Sequence, residues 1–212
     1  VEAIYRGMRD LADKYGVAIP GGETTTSASG IMISIAMVGT VARGKAARRS
    51  GAKAGDAIFV TGELGGSLTG RRLEFQPRLA EARWLAYSFD LHAMIDLSDG
   101  MAGDLRHILE ASQVGAELFS PAIPISREAR TAFRDKTSTK SPLIAALTDG
   151  EDFELLFTVA SKDAIPLLDG WKQQFPGLRL SCVGKIIKGK GVHLRDKDGV
   201  RPLTANGYVH FQ

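Results

Sequence analysis

Met94-Ile95-Asp96-Leu97-Ser98-Asp99-Gly100-Met101-Ala102-Gly103-Asp104-Leu105 is the stretch on which the reading of this chain turns. Ala93, Met94 and Ile95 form an apolar run that predicts the end of a buried strand. Beyond Gly100, the apolar residues Leu105, Ile108 and Leu109 recur at helical spacing. Asp96, Ser98 and Asp99 therefore fall where a strand hands over to a helix. There the free backbone N–H groups and the helix dipole favour anions. Two readings of this turn stand side by side. Ser98 or Asp99 is an ordinary N-cap, or two acids and a hydroxyl within four positions hold Mg²⁺ beside a phosphate. The second follows because crowded carboxylates repel unless a cation or proton separates them, and hard oxygens suit Mg²⁺. Strand-to-helix turns are also where α/β proteins place phosphate ligands.

The chain has 212 residues, 44% of them hydrophobic and 24% charged, which describes an ordinary globular protein rather than a disordered one. A net charge of +3 with scattered Lys and Arg gives no basis for nucleic-acid binding. Cys182 stands alone, so there is no disulfide framework; a reduced, cytoplasmic setting is the default and Cys182 reads as a small buried hydrophobe. No apolar run approaches the ~20 residues of a membrane span, and no signal peptide is recognisable. The first fifteen residues already read as a helix in progress, with Ile4, Met8, Leu11, Ala12 and Tyr15 on one face and no capping residue ahead of them. This predicts that the sequence begins inside a larger protein.

Along the chain, that helix should end at Gly16, with a short strand over 17–19. Pro20-Gly21-Gly22-Glu23-Thr24-Thr25-Thr26 follows, a loop whose paired glycines and hard oxygens suit close approach to a ligand. Residues 31–41 alternate as a long strand, with Ile31, Ile33, Ile35, Met37 and Val41 on one face. The composition shift beginning at Arg43 marks a domain junction, giving expected domains of 1–42 and 43–212. Strands are expected over 57–61, 116–119, 123–125, 155–159, 179–187 and 192–195. The last two should be joined by a Lys/Gly hairpin. Helices are expected over 67–75, 78–89, 126–133 (capped by Ser126), 142–147 and 161–175 (capped by Ser161). Trp84 and Trp171 read as packing aromatics, and His210 as a surface or packing residue. The acid-rich Thr148-Asp149-Gly150-Glu151-Asp152-Phe153-Glu154 precedes a buried strand. Alone, it reads first as a solvated surface turn, since acids ahead of a strand are common.

Taken in order, Gly21-Gly22-Glu23-Thr24-Thr25, Arg49-Ser50-Gly51-Ala52, Gly55-Asp56, Val60-Thr61-Gly62, Asp96-Leu97-Ser98-Asp99-Gly100, Gly150-Glu151-Asp152-Phe153-Glu154-Leu155 and Gly207-Tyr208-Val209-His210-Phe211 resemble the thiamine-monophosphate kinases. That family sits in the superfamily of aminoimidazole ribonucleotide synthetase and selenophosphate synthetase. The resemblance runs through nearly the whole chain and covers roughly the last two-thirds of the family's length. It implies an α/β fold, a mixed sheet with flanking helices, like the C-terminal domain of aminoimidazole ribonucleotide synthetase. The last helix and strand of an N-terminal ATP- and Mg-binding domain would precede it. It also implies a cytoplasmic transferase of thiamine diphosphate biosynthesis, a kinase that uses ATP and Mg²⁺ to convert thiamine monophosphate to thiamine diphosphate, and a homodimer formed through the missing domain.

Carried over by residue, the resemblance makes Glu23, Asp96 and Asp99 metal ligands. Gly22, Glu23, Arg49 and Ser98 become ATP contacts, and Glu151 and Tyr208 substrate contacts. Arg49 and Asp99 would supply the electrostatics of catalysis. Three departures accompany it: Glu23 stands where the family has Asp, Asp149-Gly150 replaces a glycine pair, and most of the N-terminal domain is absent. The alternatives are another ATP-using enzyme of the superfamily, or a non-catalytic truncated binding module.

Overall fold

The computed structural model describes residues 1–67, 70–205 and 207, with the side chain of Arg71 left aside. It divides into two compact units, Val1–Thr40 and the remainder from Val41. In the first unit, helix α1 (Glu2–Lys14) starts without a side-chain cap, as expected. It closes with Gly16 N–H donating to the Asp13 carbonyl and Val17 N–H to that of Ala12, the pairing that commonly ends helices. The strands expected over 17–19 and 31–41 do not form. A strand needs a ladder partner, and none faces these residues among those described; Ile31 and Val38 stand 86% and 100% exposed.

The second unit is built on a seven-stranded sheet in the order β2-β4-β1-β5-β3-β6-β7. Its strands are β1 (Ala57–Thr61), β2 (Ala93–Asp96), β3 (Gly115–Phe119), β4 (Leu155–Val159), β5 (Leu180–Ile187), β6 (Gly191–Asp196) and β7 (Gly199–Pro202). All neighbours are antiparallel except β3 and β6. The expected hairpin between β5 and β6 is therefore corrected: β3 lies between them, pairing antiparallel with β5 and parallel with β6. No local signal in the Lys/Gly connection announces that a strand 70 residues upstream occupies the gap.

Helices cover both faces: α2 (Leu79–Ser88), α3 (Met101–Ser112), α4 (Arg127–Arg134), α5 (Pro142–Thr148) and α6 (Ala164–Gln174). Ile58 and Val60 of β1 enter one core with Leu97, Met101, Leu105, Ile108 and Leu147. Phe59 between them points to the other core, with Phe157, Leu85, Leu167 and Trp171. A strand sandwiched this way reads as a continuous apolar run, which is why residues 57–61 and 155–159 show no alternation. Trp171 is buried and meets Trp84 edge-on, so both tryptophans are packing residues. Cys182 is half-buried against this second core.

Other departures are local. Among the described residues of the expected helix over 67–75, Arg71–Leu73 form a 3-10 turn and no α-helix is present. Residues 123–125 contribute one bridge, Ile125 to Leu64, in place of a strand. Ser126 and Ser141 cap α4 and α5 through their hydroxyls, but Ser161 does not cap α6; its hydroxyl donates to the Gly55 carbonyl. The free edge of β2 is partly closed by the incoming chain, where Met94 N–H donates to the Arg48 carbonyl at 2.8 Å.

Candidate active site

Strand β2 and strand β4 run antiparallel, so the turn leaving β2 and the turn entering β4 meet at the same end of the sheet. Their ladder continues beyond both strands. Leu97 N–H donates to Glu154 O, Phe153 N–H to Leu97 O and Glu151 N–H to Ser98 O, each at 2.8 Å. Two acid-bearing segments about fifty residues apart are thus joined backbone to backbone. Glycine makes the approach possible. A side chain on Gly150 would overlap the Ser98 carbonyl, and Gly100 adopts φ 98° with room for a Cβ only 3.0 Å from the Asp149 carbonyl oxygen.

Gly100, not Ser98 or Asp99, occupies the N-cap of α3, and no side chain caps this helix. The ordinary-cap reading of the acids therefore fails. Instead Asp104, in the first turn of α3, reaches back and accepts the Asp99 N–H at 3.0 Å. Asp104 is 2% exposed, and burial pushes its carboxyl up to about 6 against the pull of that hydrogen bond; the charges of Asp99 and Asp96 raise it further and His107 opposes them. Ligand atoms of Asp99, Asp104 and His107 lie within 4.8 Å of one another. A buried acid held beside two other carboxylates is the setting in which a cation is favoured over a second proton.

Asp104 and His107 are absent from the sequence-derived site. The signal was there: Asp104 sits in phase with Met101, Leu105 and Ile108 on the buried face of α3, where an acid has no packing purpose.

In the facing turn, alternate residues play different parts. Asp152 and Glu154 are buried and anchor it. Asp152 accepts the Gly65 N–H at 2.9 Å; Glu154 accepts from the Thr61 hydroxyl at 2.6 Å and from Arg78 through two bonds of 2.6 and 2.8 Å. Ser67 adds a hydroxyl bond to Gly150 O, so the glycine-rich turn after β1 buttresses the acid turn. Glu151 and Phe153, held at φ 63° and 52°, are half-buried between these anchors. Left-handed backbone at two non-glycine residues costs energy and persists only where surroundings impose it, often at functional sites. Glu151 meets Arg72 at 2.6 Å, and Phe153 stacks on Phe75. The extra acid of this turn, Asp149, is neutralised by Lys140 at 2.7 Å.

Asp96, Ser98, Asp99 and Glu151 are therefore gathered at one end of the second unit. Arg49 is not: its carbonyl accepts the hydroxyl of Ser112, the last residue of α3, whereas Asp99 adjoins the first. Twelve helical residues, about 18 Å, separate those ends. Gly22 and Glu23 belong to the first unit and are exposed, Gly22 lying near the Tyr5 hydroxyl. Tyr208 and His210 lie outside the described residues. Gly207, just before Tyr208, packs on the Asp99 carbonyl and on Gly103.

The chain that folds into this mixed sheet, with helices on both faces and two acid turns zipped together, matches the AIR synthase related proteins. Their N-terminal domain model matches residues 1–41 and their C-terminal domain model residues 53–197. The chain is 42% identical over 209 residues to the thiamine-monophosphate kinase of Rhodopirellula baltica, covering 98% of this chain and 63% of that protein. The Bacillus subtilis thiamine-monophosphate kinase is 30% identical over 239 residues, covering all of this chain and 70% of that protein. A solved structure, AaThiL complexed with AMPPCP and TMP, superposes with a TM-score of 0.55 at 28% identity, over 78% of this chain and 54% of that one. Within the AIR synthase related proteins, the chain belongs to the thiamine-monophosphate kinase family. It spans about two-thirds of these curated relatives' length and about half of the solved chain. Among the described residues, no helix is long and apolar enough to cross a membrane.

Proposed function

We propose that the full-length protein transfers the γ-phosphoryl group of ATP to thiamine monophosphate, giving thiamine diphosphate and ADP by direct in-line displacement. The observation that carries this reading is the turn 96–104, where Asp96 and Asp99 adjoin the buried Asp104. The donor set fits Mg²⁺, a hard ion that takes carboxylate oxygens. Asp96 and Asp99 would hold it, with Asp104 fixing the Asp99 backbone. Once bound, the metal would neutralise charge on the transferring phosphate oxygens.

The chain's own residues would do the rest. Ser98 would contact ATP. Glu151 and Tyr208 would engage thiamine monophosphate. The nucleophile is a phosphate oxygen, already ionised near neutral pH because its second pKa is about 6, so no general base is required. Catalysis reduces to positioning and electrostatics. The family relatives, and the relative complexed with AMPPCP and TMP, support the substrate pair. The test is a product assay on the full-length protein with ATP, Mg²⁺ and either thiamine monophosphate or no acceptor. Thiamine diphosphate formed only with the acceptor supports the reading; ATP consumption without thiamine diphosphate overturns it.

A further inference from the structure

Beyond β7 the chain leaves the sheet and passes over α3. Leu203 N–H donates to the Val192 carbonyl at 2.8 Å, and its side chain packs against the core that holds Leu105 and Ile108. Residues 203–205 belong to no helix or strand, so no ladder holds their carbonyls. One side chain takes two of them. Arg106 of α3, half-buried, donates from a single guanidinium nitrogen to Leu203 O at 3.0 Å and to Ala205 O at 2.9 Å. Gly103 lies three residues before Arg106, on the same side of α3 and nearer its N-terminus. There Gly207 crosses the helix. A Cβ on Gly103 would stand 3.3 Å from the Gly207 Cα, and one on Gly207 would overlap the Asp99 carbonyl. Segment 203–207 thus leads from the Arg106 guanidinium to the backbone of the turn that carries Asp99.

A charged donor binds a carbonyl more strongly than a neutral one. Without Arg106, a segment outside any ladder would keep the Leu203 bond and the Gly207 packing, and would leave its seat for part of the time. We propose that Arg106 is a positioning residue: it clamps segment 203–207 along α3, so that Gly207 stays on the Asp99 carbonyl and the chain after it starts from a fixed point beside the turn 96–104. The inference rests on the proposed function, in which Tyr208, the next residue, engages the acceptor. An acceptor that binds only the seated segment loses apparent affinity in proportion to the time the segment is away, and at saturation it restores the seat. Loss of the clamp therefore raises KM for thiamine monophosphate and spares kcat.

The test follows thiamine diphosphate formation by the full-length parent, Arg106→Ala, Arg106→Lys, Tyr208→Ala and the double variant Arg106→Ala with Tyr208→Ala. Backbone hydrogen exchange over 203–207 is measured on the same proteins, and thermal unfolding verifies each variant's fold. Arg106→Ala is expected to raise KM for thiamine monophosphate about five- to tenfold, with kcat and the KM for ATP within about twofold of the parent. Arg106→Lys, whose ammonium also donates to carbonyls, should recover most of that loss. In the Tyr208→Ala background, Arg106→Ala should change KM by less than about twofold, because the contact it positions is gone. Exchange over 203–207 should quicken in Arg106→Ala and stay unchanged in α3. An unaltered KM for thiamine monophosphate, an equal effect on both substrates, or effects that multiply in the double variant would overturn the inference and leave the kinase reading standing. A parent that forms no thiamine diphosphate overturns the kinase reading, and exchange then decides the clamp alone: faster exchange in Arg106→Ala supports it, and unchanged exchange overturns it.

Discussion

The backbone N–H of Asp99 is held at 3.0 Å by the carboxylate of Asp104, which is itself buried in the first turn of α3. One acid thereby fixes the geometry of another, and the local cost is a carboxyl raised to about 6 by burial.

That cost predicts a pH dependence. Because Asp104 has a higher pKa folded than unfolded, the folded state holds the extra proton between about pH 4 and pH 6. Stability of the metal-free protein should therefore fall as pH rises through that window. Asp104→Asn keeps an acceptor for the Asp99 N–H but removes the charge. In EDTA at pH 7 it should unfold later than the parent, by roughly 1–3 kcal/mol, with a flatter stability–pH profile. Thermal unfolding from pH 4 to 8 checks both.

Arg78 is the chief partner of the buried Glu154 carboxylate. Arg78→Met strands that charge with only the Thr61 hydroxyl, which predicts a loss of about 3–5 kcal/mol in urea unfolding. Replacing both, as Arg78→Met with Glu154→Gln, should recover part of the loss.

Gly150 touches the Ser98 carbonyl, so Gly150→Ala must push the two turns apart. A destabilisation on the order of 2–4 kcal/mol and a sharp fall in turnover are expected. Gly177→Ala, where nothing lies within 4 Å, should be near neutral in both measurements.

Much of this arrangement is legible in the residues. The runs at 57–61 and 155–159, the helical phase of Leu105, Ile108 and Leu109, and the capping hydroxyl of Ser126 each carry a local physical signal, and each became the element expected. What escaped depends on partners distant in sequence. Alternation along 31–41 shows a strand's two faces but supplies no neighbour, and no ladder forms. Nothing near residues 188–190 reveals that β3 separates β5 from β6.

The same holds for the site. Asp96, Ser98, Asp99 and Glu151 stand in sequence motifs, whereas Arg72 and Phe75 meet Glu151 and Phe153 only because the fold brings their segment to the acid turn. Arg49 shows the converse: its motif is clear, yet its backbone lies at the far end of α3 from Asp99. The charge of the nearby Asp149 is answered by Lys140, a partner nine residues away that the motif does not reveal.

The most direct measurement is thiamine diphosphate formation by the full-length protein across a Mg²⁺ titration, with Asp99→Asn alongside. A parent with saturable Mg²⁺ dependence, and a variant needing at least ~10-fold more Mg²⁺ with kcat lowered on the order of 10²–10³-fold, is the predicted result. Identical Mg²⁺ dependence and turnover in the two proteins would contradict the placement of the metal at this turn.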